Sequence, residues 1–113
     1  REYTFYFDAK SMDNHGWVVG FGDLKELEKY LLKMYDHTLL ISEDDPELDT
    51  FKELDAKGLC DLRIVPETSL EGSAKTALEK ANEILSRMTD GRARCFKVEA
   101  RENDKNSAIY TKS

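Results

Sequence analysis

Histidine, cysteine, proline and tryptophan are scarce in this chain: two, two, two and one among 113 residues. The two cysteines, Cys60 and Cys95, stand apart from each other and from either histidine. That excludes the spacing of a cysteine-histidine zinc motif and of a C-x-x-C redox pair, and leaves two small packed thiols in a reduced compartment. There is no Pro-rich, Gly/Ser-rich or repeated segment, so neither a linker nor a repeat array is expected. Apolar runs are short: none approaches the roughly 20 residues of a membrane span, and the opening residues do not read as a leader. We read a cytoplasmic protein with no membrane partner. Positive charge is also in deficit, with 17 Lys and Arg against 23 Asp and Glu for a formal net charge of -6. A domain built to bind a phosphate backbone needs a basic stripe, so nucleic acid is not an expected partner.

What is present is a chain of the length of one domain, residues 1–113, with 40% hydrophobic and 35% charged residues. YTFYFDAK alternates Tyr3, Phe5, Phe7 and Ala9 against Thr4, Tyr6, Asp8 and Lys10, the period of a strand with one buried face. SMDNHG reads as a turn and WVVGF as a second short extended piece. DLKELEKYLLKM reads as a helix capped by Asp23, with Glu26 completing a capping box and Leu24, Leu27, Leu31 and Met34 on one face. TLLIS is extended. Asp45 followed by Pro46 predicts the start of a short helix with the stripe Leu48, Phe51, Leu54 and a stop at Gly58. DLRIV predicts a short strand, and TSLE (Thr68 to Glu71) a capping box opening the longest helix, which is apolar at Leu70, Ala74, Ala77, Leu78, Ala81, Ile84, Leu85 and Met88 and stops at Asp90-Gly91. RCFKVEAR alternates Arg94, Phe96, Val98 and Ala100 against Cys95, Lys97, Glu99 and Arg101, and SAIYTK reads as its returning hairpin strand. Strands gather at the two ends with helices between, which predicts an α+β fold: an antiparallel sheet with helices packed on one face. The faces predicted to meet are Phe5, Phe7, Phe96 and Val98 of the sheet and Leu78, Ala81 and Leu85 of the long helix.

Candidate chemistry is sparse. Asp36 directly precedes His37, and an aspartate that fixes a histidine tautomer makes a general acid/base unit near neutral pH, while the same dipeptide is also an ordinary solvated helix end. His15 reads as turn chemistry. Glu102 closes an alternating strand, where a carboxylate accepts two parallel hydrogen bonds from an N-C-NH2 edge such as that of a pterin or guanine, or simply enters a turn. The acidic run EDDPELD fits a helix N-terminus better than a metal site.

Taken in order, GWVVGFGDLKEL, the Asp36-His37 pair thirteen residues after Asp23, and REN followed by SAIY resemble the 6-pyruvoyl-tetrahydropterin synthase and 6-carboxytetrahydropterin synthase family. That family shows a G-x-V-x-D-F-x-x-L-K segment, an Asp-His dyad, and a terminal E-T segment with a tyrosine eight residues on, a spacing that Glu102 and Tyr110 keep. The resemblance implies the tunnelling fold, closed homo-oligomers with sites between subunits, and a zinc-dependent lyase acting on dihydroneopterin triphosphate. It assigns Asp36 and His37 to the catalytic dyad and Glu102 to the pterin anchor; Ser69 and Glu71 loosely match the P-T-x-E-N segment as substrate-binding residues. The departures are also specific. Gly20 stands for the Asp of the D-F pair, Asn103 for the usual Thr and Gly72 for the usual Asn, and neither cysteine matches the family's thiol nucleophile. The family's zinc-binding histidines and its Cys and H-G-H segments are expected upstream of the strand YTFYFDAK, so no metal ligand is assigned in this chain. The first strand of the family is expected to be missing with them. The alternative expectation is a non-catalytic tunnelling-fold protein that binds a pterin or purine, or serves in assembly.

Overall fold

The computed structural model describes residues 2–12, 20–36, 38–102 and 106–112. Its elements run β1 (Glu2–Ala9), α1 (Phe21–Tyr35), β2 (Leu39–Ser42), α2 (Leu48–Ala56), β3 (Leu62–Val65), α3 (Leu70–Met88), β4 (Ala93–Arg101) and β5 (Ser107–Thr111). Among them β1, β4 and β5 form an antiparallel sheet in the order β1-β4-β5, with α3 against one face and α1 packed on α3. This is the α+β arrangement that the end-clustered strands predict. The sequence does not foretell the second ladder, in which β2 and β3 pair in parallel from Leu39↔Leu62 to Ser42↔Val65, with α2 as the crossover between them.

The core lies where alternation and helical period meet. Tyr3, Phe5 and Phe7 of β1 pack against a buried cluster of Leu27, Ala74, Ala77, Leu78, Ala81, Ile84, Leu85, Cys95, Val98 and Ala100. Alanines on α3 let the helix lie close to the strands, and Leu78 and Ile84 fill the space between, each contributing about 1.5–3 kcal/mol by leaving water. Asn82 locks the alignment: its Nδ2 donates to the Cys95 carbonyl at 2.9 Å and its Oδ1 accepts from the Cys95 amide at 2.8 Å. Met88, assigned by period to the buried stripe, lies past the edge of the sheet and is 44% exposed.

Several local expectations are corrected. In β4 the inward set is Ala93 and Cys95, then Val98 and Ala100, because the register with β1 passes from Phe7↔Cys95 to Tyr6↔Lys97 and leaves Phe96 unmatched. Phe96 is the extra residue of a β-bulge, and an extra residue inverts the alternation on either side of it. Its ring therefore packs on outward-facing Tyr6 (centroids 6.3 Å) rather than on α3, and the thiol of Cys95 takes the inward place.

Helix α1 begins at Phe21, with Leu24 N–H donating to the Gly20 carbonyl at 3.3 Å, so Asp23 is inside the first turn and not its cap. Phe21 is likewise helical rather than extended, and the rest of the extended piece expected before it, 17–19, lies outside the described residues. Asp45 caps a turn instead of a helix: its Oδ1 accepts from Glu47 N–H at 2.8 Å, and α2 starts only at Leu48. At α3 the cap is Ser69, one residue after the expected Thr68, its Oγ accepting from Gly72 N–H at 3.0 Å. The expected stops hold, at Gly58 (φ 75°) and at Asp90-Gly91 (φ 54° and 77°), left-handed conformations that end a helix.

Candidate functional site

Three anchors set the ends of the fold in register. Asn82 of α3 lies level with Cys95 of β4. From there the 13 helical residues back to Ser69 span about 20 Å, and the seven strand residues on to Glu102 span about 23 Å. Ser69, Glu71 and Glu102 thus reach the same end of the sheet. Helix α1 runs antiparallel to α3, since Arg87 pairs with Glu26 (2.8 Å) and Lys80 stands over the Tyr30 ring (5.1 Å). Its C-terminus therefore points to that end too. Tyr35 closes α1 against Tyr3, their ring centroids 5.3 Å apart, and Tyr3 is registered on Ala100, two residues before Glu102. Topology thus brings Asp36, Ser69, Glu71 and Glu102 to one end of the molecule; His37 and His15 lie outside the described residues.

Each residue has a local reason for its place. Asp36 follows the last turn of α1, its N–H donating to the Leu32 carbonyl at 3.1 Å, and lines an open groove of about 270 Å³ with Tyr3, Glu28, Leu31, Leu32 and Tyr35. Glu102 is exposed where β4 enters its hairpin, held by a backbone bond from its N–H to the Asn106 carbonyl at 3.0 Å. Ser69 is the N-cap of α3, and Glu71 is exposed in its first turn, where a carboxylate complements the helix dipole. Tyr110 is not beside Glu102. It pairs with Val98 and packs on the core, so the eight-residue spacing records the hairpin register.

Burial shifts two groups near this framework. The Tyr30 hydroxyl is held above its ordinary pKa by burial first, then by the charge of Glu83 and by Tyr3. Burial likewise raises the Cys95 thiol, partly offset by backbone hydrogen bonds, so it is a packed group and a poor nucleophile. The hydroxyl of Tyr3 is buried with no hydrogen-bond partner among the described residues.

Among the described residues no three His, Cys, Asp or Glu side chains form a group able to hold a metal ion. In the acidic run, Asp44 accepts from Ser42 Oγ, Asp45 from the Glu47 amide and Glu47 from Thr50 Oγ1. The described residues do not fit the zinc site that the resemblance implies, and no step below passes through zinc. No helix among them is long and apolar enough to cross a membrane.

Sequence reasoning passed over the residues around Asp36: Tyr3 was visible only as a member of an alternating strand, Tyr35 fell just past the expected end of its helix, and Arg63 was one charge in a short strand. No linear spacing joins Arg63 to Lys33, yet its Nε donates to the Lys33 carbonyl at 3.1 Å.

A comparison with curated proteins finds no match. Among solved structures, the chain is similar to the crystal structure of an uncharacterized protein from Wolinella succinogenes. The TM-score is 0.80 at 16% identity, over 98% of this chain and 76% of that one. At that identity the likeness speaks to the fold alone, and it fits the tunnelling-type architecture. The family model described as 6-pyruvoyl tetrahydropterin synthase matches residues 1–113, and this chain belongs to that family.

Proposed function

We propose that the protein is a pterin synthase-type lyase acting on dihydroneopterin triphosphate, with its site at the end of the sheet where Asp36, Ser69, Glu71 and Glu102 gather. The observation that carries this reading is that convergence within a chain of this family. In the reading, the Asp36 carboxylate orients the His37 imidazole, which moves protons to and from the substrate side chain. The Glu102 carboxylate accepts two hydrogen bonds from the amidine-like edge of the pterin ring and fixes its orientation. Ser69 and Glu71 stand at the head of α3, Ser69 with its oxygen already accepting from Gly72 and its hydroxyl hydrogen left to donate.

We also propose that residues 1–113 act as one domain and self-associate into a homo-oligomer with sites between subunits. Two features support this. Within the described sheet, β1 and β5 are edge strands, and its face away from α3 exposes Tyr6 and Ile109. A second reading, pterin binding without turnover, is favoured by Gly20, which supplies no carboxylate at the head of α1 where the family has Asp.

Turnover separates the readings. The full-length protein, supplied with zinc and dihydroneopterin triphosphate, should yield a reduced pterin product by chromatography, and His37→Asn should lower the rate by about 100-fold or more, the scale of a lost acid/base group. Unchanged turnover in His37→Asn would remove the dyad. Binding of a pterin with no product would establish the second reading.

A further inference from the structure

One short piece of chain holds both the last turn of α1 and the start of β2. Arg63 Nε donates to the Lys33 carbonyl in the last turn of α1. Leu39 N–H donates to the Asp61 carbonyl at 2.8 Å, at the first rung of the β2-β3 ladder. The two holding points are joined by a fork: Arg63 Nη1 and Nη2 donate to Asp61 Oδ1 at 2.6 Å and Oδ2 at 3.3 Å, and Nη1 also reaches the Leu62 carbonyl at 3.0 Å. The Arg63 side chain is only 23% exposed, and a guanidinium with its donors so distributed has little freedom to leave. Thr38 adds a third tie, its Oγ1 donating to the Met34 carbonyl at 2.5 Å.

These contacts explain the parallel ladder. An antiparallel pair joined by a tight turn would not return β3 alongside β2 in the same direction. The βαβ crossover does, placing Asp61 and Arg63 where they reach both the end of α1 and the start of β2. The last carbonyls of a helix carry its negative end, so a cation there complements the dipole.

We infer that Arg63, set by Asp61, is a positioning residue that fixes Asp36 relative to the sheet. The inference rests on the dyad reading for its consequence in catalysis but not for the clamp itself. Arg63 makes none of these contacts to a reacting group; it acts by holding the backbone at the end of α1 and, through Asp61, at the start of β2.

Amide hydrogen exchange followed by NMR tests the clamp without any substrate. In Arg63→Ala, exchange at the Asp36 and Leu39 amides should accelerate roughly tenfold, the scale of a lost charge-assisted hydrogen bond, while Leu78 and Ile84 in α3 keep their rates. Asp61→Asn, a milder change that weakens the fork, should act in the same direction to a smaller extent. Arg63→Lys keeps the charge but not the fork and should restore the wild-type rates only in part. Unchanged exchange at Asp36 and Leu39, or acceleration spread equally over α3, overturns the inference. In the full-length protein the same Arg63→Ala should lower kcat roughly tenfold with KM little changed. If the exchange result holds and no variant, nor wild type, turns over substrate, the clamp stands and the lyase reading falls.

Discussion

The bulge in β4 makes a prediction that separates it from simple alternation. With Phe96 pointing inward, Cys95 would face solvent and its thiol would react at once. With the bulge, Cys95 is 1% exposed, paired with β1 and packed into the core beneath α3. Its sulfur lies 3.4 Å from the Lys97 carbonyl, and burial raises its pKa, which further depletes the reactive thiolate. No local motion exposes a residue registered on Phe7 and tied through its backbone to Asn82, so modification requires the sheet to open. For a domain of about 5 kcal/mol stability, the open fraction is about one in five thousand. The experiment is disulfide exchange with a chromogenic reagent on Cys60→Ser, which leaves Cys95 as the one thiol. The reaction should run about four orders of magnitude slower in buffer than in strong denaturant. Cys60, half-buried beside α2, should react first in the wild-type chain. A native rate for Cys95 close to its denatured rate would refute the bulge and the inward place of the thiol.

Ser69→Ala removes the acceptor for Gly72 N–H and should cost about 1 kcal/mol in urea unfolding, with Ser69→Asp near wild type because a carboxylate caps the same amide. Stability should also fall at alkaline pH. Cys95 and Tyr30 both have folded pKa values raised by burial, so the unfolded chain loses these protons first; stability is full below the ordinary thiol value of about 8.5 and declines above it. Cys95→Ala should move the onset of that decline toward the ordinary tyrosine value of about 10, and unfolding curves with no alkaline loss would contradict both assignments. Glu102→Gln should weaken binding of a pterin about tenfold or more by calorimetry, since an amide cannot accept two hydrogen bonds from the donor edge; unchanged affinity would remove Glu102 from the site.

The architecture was legible where one physical signal dominated. The period of two in β1 and the helical stripe of α3 each named their buried face, because each element has one partner layer and nothing inverts its phase. The errors share a different cause. A bulge, a cap displaced from Thr68 to Ser69 and a helix that begins at Phe21 are single-residue choices, decided by tertiary register that local sequence does not encode. Leu62 and Leu39 pair in parallel because α2 crosses between them, a fact of three dimensions that no run of LLIS or LRIV states. Of the candidate site, Asp36 and Glu102 were reached through the ordered set of motifs, whereas Arg63 was not, since its partner Lys33 lies thirty residues away.

The central claim is that the ligand end of the molecule is the one shared by Asp36, Ser69 and Glu102. A titration of a pterin ligand into isotope-labelled protein, followed through backbone amide shifts, tests it most directly. The account predicts changes concentrated at Tyr3, Tyr35, Asp36, Ser69 and Glu102. Changes concentrated at the opposite end, around Lys10, Gly91 and Arg92, or none at saturating ligand, would contradict it.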